Sequence, residues 1–311
     1  IVLCVYQIQA AGRGIARERI SVGGTPVEIF QPGGTGAKPA VVVAHGFSGS
    51  RQIMYAIGYT LARNGYVAAL VDLPGHGRNL TPMDQSGHMR DVTQLTNALG
   101  DVVGYVRARD DVNADQLALL GHSMGTAVVM TYGLNHADAA ATVALSAILT
   151  DITPSMPRNL LLLTGGMEFA NLKQNALAAL ESGGGQSASV LYGDFAQGTA
   201  RRLEFVPGVE HVSILFSRQA LAATVGWLNT AFGRSSGGWT DNRIGWVLLL
   251  YVAALALYFP LSHIAWRRHT PLRGHRMGLR QLLLFAGLPA VLTPVLLWLV
   301  PPLTQWIPLS V

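Results

Sequence analysis

The chain has 311 residues, 50% of them hydrophobic and only 13% charged, where an average soluble chain is about one-quarter charged; disorder is excluded and a membrane-embedded part is suggested. The single cysteine, Cys4, excludes a disulfide framework and a cysteine-based zinc site. The net charge of +5 is local: residues 1–242 hold 16 basic and 17 acidic side chains and residues 243–311 six arginines and no acid, which disfavours a nucleic-acid-binding domain.

Taken in order, residues 1–10 begin with the apolar run IVLCVYQIQ, which reads as the end of a membrane or signal segment or else as a β-strand. Residues 11–233 read as one large domain. Ile15–Ser21 and Pro26–Gln31 flank a Gly-Gly turn and predict a hairpin. Ala40–Ala44 is a solid Val/Ala run, typical of a strand covered on both faces. A helix over Gln52–Asn64, a strand over Tyr66–Asp72 and a helix over Asp91–Arg107 follow. Then come strand Leu117–Leu120, helix Ser123–Gly133, strand Ala141–Ile148, strand Leu160–Leu163 and helix Asn171–Glu181. Strand Leu203–Val206 and helix Ile214–Phe232 complete the domain. This alternation predicts an α/β fold with a doubly wound, mostly parallel sheet and chemistry at the C-terminal strand ends.

Residues 234–243 form a polar Gly/Ser linker. Residues 244–266 carry no charge and at 1.5 Å per residue would span about 34 Å, enough to cross a bilayer as a helix. Residues 281–300 predict a second transmembrane helix, with prolines ending it before a tail over 301–311. The segment between them, 267–280, holds five arginines and is expected to face the cytoplasm, so the large domain would be extracytoplasmic.

The strongest motif is Gly121-His122-Ser123-Met124-Gly125, a G-x-S-x-G between a buried strand and a helix. Such a turn exposes the serine hydroxyl at a helix N-terminus, where a developing anion is favoured. An acyl-transfer enzyme also needs two N–H donors for the oxyanion, and the backbones of Phe47 and Met124 are the candidates. His45 is expected to order the loop that carries Phe47. The base should follow the serine, and His211 sits in a loop between the last strand and the last helix. His122 adjoins Ser123 and cannot fold back onto its hydroxyl. For the acid, Glu168 follows the preceding strand; Asp194 and Asp151 are alternatives.

The HGF loop at 45–47, the segment DLPGHGR at 72–78, GHSMG at 121–125 and GVEH at 208–211 together resemble an α/β-hydrolase over about residues 25–232. The resemblance implies structural roles for Asp72 and His76 on the floor of the site. The chain departs from the family in two ways. The acid candidate is Glu where Asp is usual, and Thr150–Arg158 leaves no room for a helical lid. Cover is limited to residues 79–90 and 182–200, so an open site for small esters, or for the exposed end of a larger substrate, is expected.

The expected function is a membrane-anchored serine hydrolase that cleaves carboxylic esters through an acyl-enzyme. A peptidase or acyltransferase with the same residues is the alternative, with Glu210 as a possible anchor for a peptide terminus; a non-catalytic scaffold is a third reading. No H-E-x-x-H, cysteine pair or dinucleotide fingerprint is present, so neither a metal nor an organic cofactor is implied. The expected partners are a small ester or acyl substrate and, through the C-terminal helices, the lipid bilayer. No nucleic acid is expected, and a protein partner is not legible.

Overall fold

The computed structural model describes residues 1–84, 92–266, 278–288, 290 and 292. They fall into two units, Ile1–Leu249 and Leu250–Val311.

The first unit holds eight strands: β1 (Ile15–Val22), β2 (Thr25–Pro32), β3 (Lys38–Ala44), β4 (Val67–Val71), β5 (Val112–His122), β6 (Ala141–Leu145), β7 (Leu160–Gly165) and β8 (Arg201–Val206). They form one sheet in the order β1-β2-β4-β3-β5-β6-β7-β8. β1 and β2 are the expected hairpin, and β2 also runs antiparallel to β4; the other neighbours are parallel. The helices are α1 (Val2–Ala10), α2 (Tyr55–Arg63), α3 (Thr93–Arg107), α4 (Met124–Asn135), α5 (Ala170–Ser182) and α6 (Arg218–Ala231).

The apolar strands are covered on both faces, and their side chains alternate between two cores. Ala40, Val42 and Ala44 of β3 join Leu117 and Leu119 of β5 in one core, which α3 and α4 close with Leu95, Leu99, Val102 and Val128. Val41, Val43, Ala118 and Leu120 point the other way, onto Ile57 and Leu61 of α2 and Leu221 and Leu228 of α6. A period of two with both sets buried is why these strands read as unbroken apolar runs. Each fully buried Leu or Val contributes roughly 1.5–3 kcal/mol. All six parallel strands therefore end at one edge, and the loops leaving that edge carry residues 45–50, 72–80, 123, 146–159, 166–169 and 207–213. The connection from β6 to β7 contains no helix.

Three expectations change. Residues 2–10 are helical, so the strand reading of the N-terminus falls. The segment 234–242, expected as a linker, is fastened to the domain. Asn64 donates to the Trp239 carbonyl (2.8 Å), the Asp241 N–H donates to Thr60 Oγ1 (3.0 Å) and Asp241 is buried. Its polar residues answer hydrogen-bonding groups at the end of α2, which a composition count cannot see. Lastly, a single helix among the described residues is long and apolar enough to cross a membrane: α7 (Arg243–Trp266), with a stretch of mean hydropathy 2.1 over Arg243–His263. Of the second expected span, Leu279–Leu282 (α8) is α-helical and Leu283–Gly287 a π turn. Most of 288–300, the loop over 267–277 and the tail 301–311 lie outside the described residues.

Candidate active site

Ser123 stands between β5 and α4 with φ 51° and ψ −119°, a left-handed conformation for a non-glycine residue. Such strain costs about 1–3 kcal/mol and persists only where the surroundings enforce it. Here the Ser123 N–H donates to the Leu145 carbonyl (2.9 Å), and the Thr126 hydroxyl and N–H both donate to the Ser123 carbonyl (2.6 and 2.8 Å). The turn also demands close approach. A Cβ on Gly125 would lie 2.5 Å from the Ala44 carbonyl oxygen and 2.6 Å from that of His45, so α4 sits directly on the end of β3.

His211 Nε2 lies 2.9 Å from Ser123 Oγ, and Nδ1 lies 2.5 Å from Glu168 Oε1. A carboxylate only accepts, so Nδ1 carries the proton and Nε2 is free to accept from the serine hydroxyl. The Glu168 side chain is fully buried. Its other oxygen, Oε2, accepts from the Ser146 hydroxyl at 2.7 Å. Burial pushes the Glu168 pKa up, but the hydrogen bonds from His211 and Ser146 outweigh it and hold the carboxyl below its ordinary value. The group is ionised at neutral pH although no water reaches it.

The other two carboxylates stand elsewhere. Asp194 Oδ1 accepts from the N–H groups of Ala196 and Gln197 (2.7 and 3.2 Å), capping a turn in its own loop. Asp151 is exposed and meets the Thr150 hydroxyl at 3.5 Å. His211 Nδ1 is met by Glu168 and not by either of these.

The loop after β3 lies against the serine turn. A Cβ on Gly46 would be 3.1 Å from Ser123 Cβ and 2.8 Å from His122 Nδ1. Phe47 follows at once, so its N–H belongs to the backbone beside Ser123. Met124 is the first residue of α4, and a first-turn N–H has no partner within its own helix. His45 is buried; its Nδ1 donates to the Gly46 carbonyl (2.7 Å) and its Nε2 accepts from the Leu73 N–H (3.1 Å). Burial lowers its pKa to about 4, so it is neutral and ties the β3 and β4 loops together. Asp72 is buried as well, holding the Arg51 guanidinium and accepting from the Arg51 and Arg78 N–H groups (2.7 and 3.0 Å). His76 packs edge-on against Phe47, with ring centroids 5.5 Å apart.

Two polar side chains hold positions that the sequence reading did not assign them. Ser146, at φ 57° after β6, orients Glu168 from below. Its only sequence signal is its place at a C-terminal strand end. His122 Nε2 donates to the His211 carbonyl at 2.8 Å, and its ring lies 4.9 Å from that of His211. Burial lowers its pKa to about 4, against the opposing effect of the His211 carbonyl. The neutral ring therefore pins the His211 loop. Glu210 is exposed, yet both carboxylate oxygens accept from its own loop, Oε2 from the Val212 N–H (2.9 Å) and Oε1 from the Ser213 N–H (2.7 Å).

Among the described residues no group of three His, Cys, Asp or Glu could hold a metal. A separate cavity of about 440 Å³ lies between β7, β8 and α6, with a mixed lining that includes Leu161, Phe195 and Trp227 beside Arg202 and Glu204; Ser123, His211 and Glu168 do not line it.

A family model described as serine aminopeptidase, S33 matches residues 35–190, half of the chain. Epoxide hydrolase A of Mycobacterium tuberculosis is 32% identical over 149 residues, covering 47% of this chain and 41% of that protein. The dihydrolipoyllysine-residue acetyltransferase component of an acetoin cleaving system from Pseudomonas putida is 35% identical over 116 residues, 37% of this chain and 28% of that one. The chain thus spans less than half the length of these curated relatives. Among solved structures, the α/β hydrolase GrgF from Penicillium sp. sh18 superposes with a TM-score of 0.54 at 12% identity, covering 70% of this chain and 99% of that one. A dienelactone hydrolase from Anabaena variabilis gives 0.50 at 18% identity, covering 71% and 98%. At these identities the likeness to solved structures is one of fold.

Proposed function

Because the chain belongs to the α/β-hydrolase family described as serine aminopeptidase, S33, we propose that it is a membrane-anchored serine hydrolase that cleaves carboxylic esters through an acyl-enzyme. The observation that carries this reading is the hydrogen-bonded chain from Ser146 through Glu168 and His211 to Ser123, ending on a strained, half-buried serine.

Ser123 Oγ attacks the acyl carbonyl while His211 Nε2 takes its proton. The imidazolium so formed faces the ionised Glu168 across the 2.5 Å contact. The oxyanion rests on the N–H groups of Phe47 and Met124, one such donor being worth about 2.7–4 kcal/mol in the transition state. His211 then protonates the leaving alkoxide, and water, deprotonated by the same imidazole, hydrolyses the acyl-enzyme.

Peptide cleavage uses the same groups, and the description of the matching family favours keeping it as the second reading. An aminopeptidase needs an anion to hold the substrate ammonium. Glu210, the residue available for that on the His211 loop, is engaged by its own backbone, which favours the ester reading. α7 supports the anchor, and the arginines of 267–280 support an extracytoplasmic domain.

The test is fluorophosphonate labelling of the full chain against Ser123→Ala, beside a series of aryl esters and an aminoacyl arylamide. Labelling lost in the variant, with ester turnover well above arylamide turnover, is expected. An unlabelled folded wild type would remove the serine chemistry, and the reverse substrate preference would make the protein a peptidase.

A further inference from the structure

The first unit exposes large apolar side chains in several places, Val2, Leu177 and Leu191 among them, and five of them gather at one edge. Phe47, Leu80, Met167, Phe169 and Val212 are 46%, 95%, 69%, 72% and 43% exposed. They follow β3, β4, β7, β7 and β8, so all five stand on loops at the strand edge that carries Ser123. Two of these loops hold Glu168 and His211 themselves. Bare Phe, Leu and Met in water is unfavourable, and a cluster of such side chains around one opening marks a surface with an apolar counterpart.

The chain's own path points to that counterpart. Along 239–243 it descends the numbering of α2: the Trp239 carbonyl meets Asn64, the Asp241 N–H meets Thr60, and the Arg243 guanidinium lies 3.7 Å from the centre of the Tyr59 ring. The segment is therefore antiparallel to α2. α2 starts just after the β3 loop and runs away from the site, so residues 239–243 run toward the site edge. There they enter α7, the one helix among the described residues apolar enough to cross a bilayer; its Val247, Leu248 and Leu249 are already exposed. Nothing within the β6–β7 connection folds into a lid.

Resting on the serine hydrolase reading, we infer that the apolar rim seats the mouth of the site on a lipid surface, and that the substrates are long-chain esters held in that bilayer. The acyl chain then stays in lipid, while the scissile carbonyl rises to Ser123 at headgroup level. The bonds made and broken are those of ordinary ester hydrolysis, with water as the only co-reactant. The bilayer supplies the desolvation that a lid supplies elsewhere.

The experiment uses the full chain in phosphatidylcholine vesicles, wild type against the double variant Leu80→Gln/Phe169→Gln. The two probes are p-nitrophenyl palmitate carried in the same vesicles and p-nitrophenyl acetate in the water. Palmitate turnover is expected to fall about ten-fold, or about 1.4 kcal/mol, with acetate turnover within about two-fold of wild type. Unchanged palmitate turnover, which a rim serving a protein partner would also give, overturns the inference, as does an equal loss of both activities. A wild type that turns over acetate but not vesicle palmitate overturns it and leaves the hydrolase standing. A wild type inert on both esters and unlabelled by fluorophosphonate removes both; one labelled but inert overturns the ester class alone.

Discussion

Replacing Glu168 by Gln isolates its charge from its shape. The amide has the volume of the carboxylate, its oxygen can still accept from His211 Nδ1, and the Ser146 hydroxyl can turn to accept from the new NH₂. What disappears is the negative charge facing the imidazolium. With Oε1 2.5 Å from Nδ1 and the side chain fully buried, the two charge centres stand about 4 Å apart, which is worth about 4 kcal/mol at an effective dielectric of about 20. The imidazolium exists in the transition state and not in the resting enzyme, so the loss falls on kcat, at about a thousand-fold, with KM little changed. The assay is steady-state hydrolysis of p-nitrophenyl acetate beside the rate of fluorophosphonate labelling. Asp194→Asn is the control: its amide oxygen can keep the turn that Asp194 caps, and activity within about two-fold of wild type is expected. If Glu168→Gln kept more than a tenth of the activity while Asp194→Asn lost it, the electrostatic reasoning would be refuted and the acid misassigned.

Three further outcomes are expected. Ser123→Gly should abolish turnover while raising stability by about 1 kcal/mol, because glycine accepts the φ of 51° without strain; an unchanged urea midpoint would show that the turn is not strained. Gly125→Ala should destabilise by about 3 kcal/mol, since the new methyl meets two β3 carbonyl oxygens at 2.5 and 2.6 Å; a neutral effect would mean that α4 can shift freely. Acid should loosen the fold. His45 and His122 have pKa values near 4 in the folded chain, against a usual 6.5, so below pH 6.5 the unfolded chain takes up protons that the folded one refuses. Their contribution is fully present above pH 6.5 and is lost as pH falls toward 4, by about 2 kcal/mol each between pH 7 and pH 5. The lowered pKa of Glu168 acts in the same direction. Urea unfolding at the two pH values checks this, and equal midpoints would contradict the burial argument.

Much of the fold was legible because its determinants are local. The Val/Ala run at 40–44 and the alternation of strands with amphipathic helices depend on spacing alone, and spacing is written in the chain. So is the serine turn: two glycines, a strand before and a helix after. Boundaries shifted by a few residues where tertiary pairing extended a strand, as when β5 began at Val112 rather than Leu117.

Partnership was not legible. Three carboxylates satisfied the order serine, acid, histidine, and only the packing of β7 beside β8 brought Glu168 onto His211 across 43 positions. Ser146 carries no motif, because a hydroxyl acquires its role from the carboxylate that folding sets beside it. His122, dismissed as a base for its position beside Ser123, turned out to hold the His211 loop, since its ring points away from the hydroxyl and onto a carbonyl 89 positions later. Glu210 lost its availability to its own backbone, and 234–242 lost its freedom to α2. Sequence by itself determined which elements form and which serine stands on a strand-to-helix turn, for these follow from covalent spacing and solvation of the local chain. Tertiary structure alone decided which charges meet and which side chains stay bare, because hydrogen bonds reward distances between atoms and not separations along the chain.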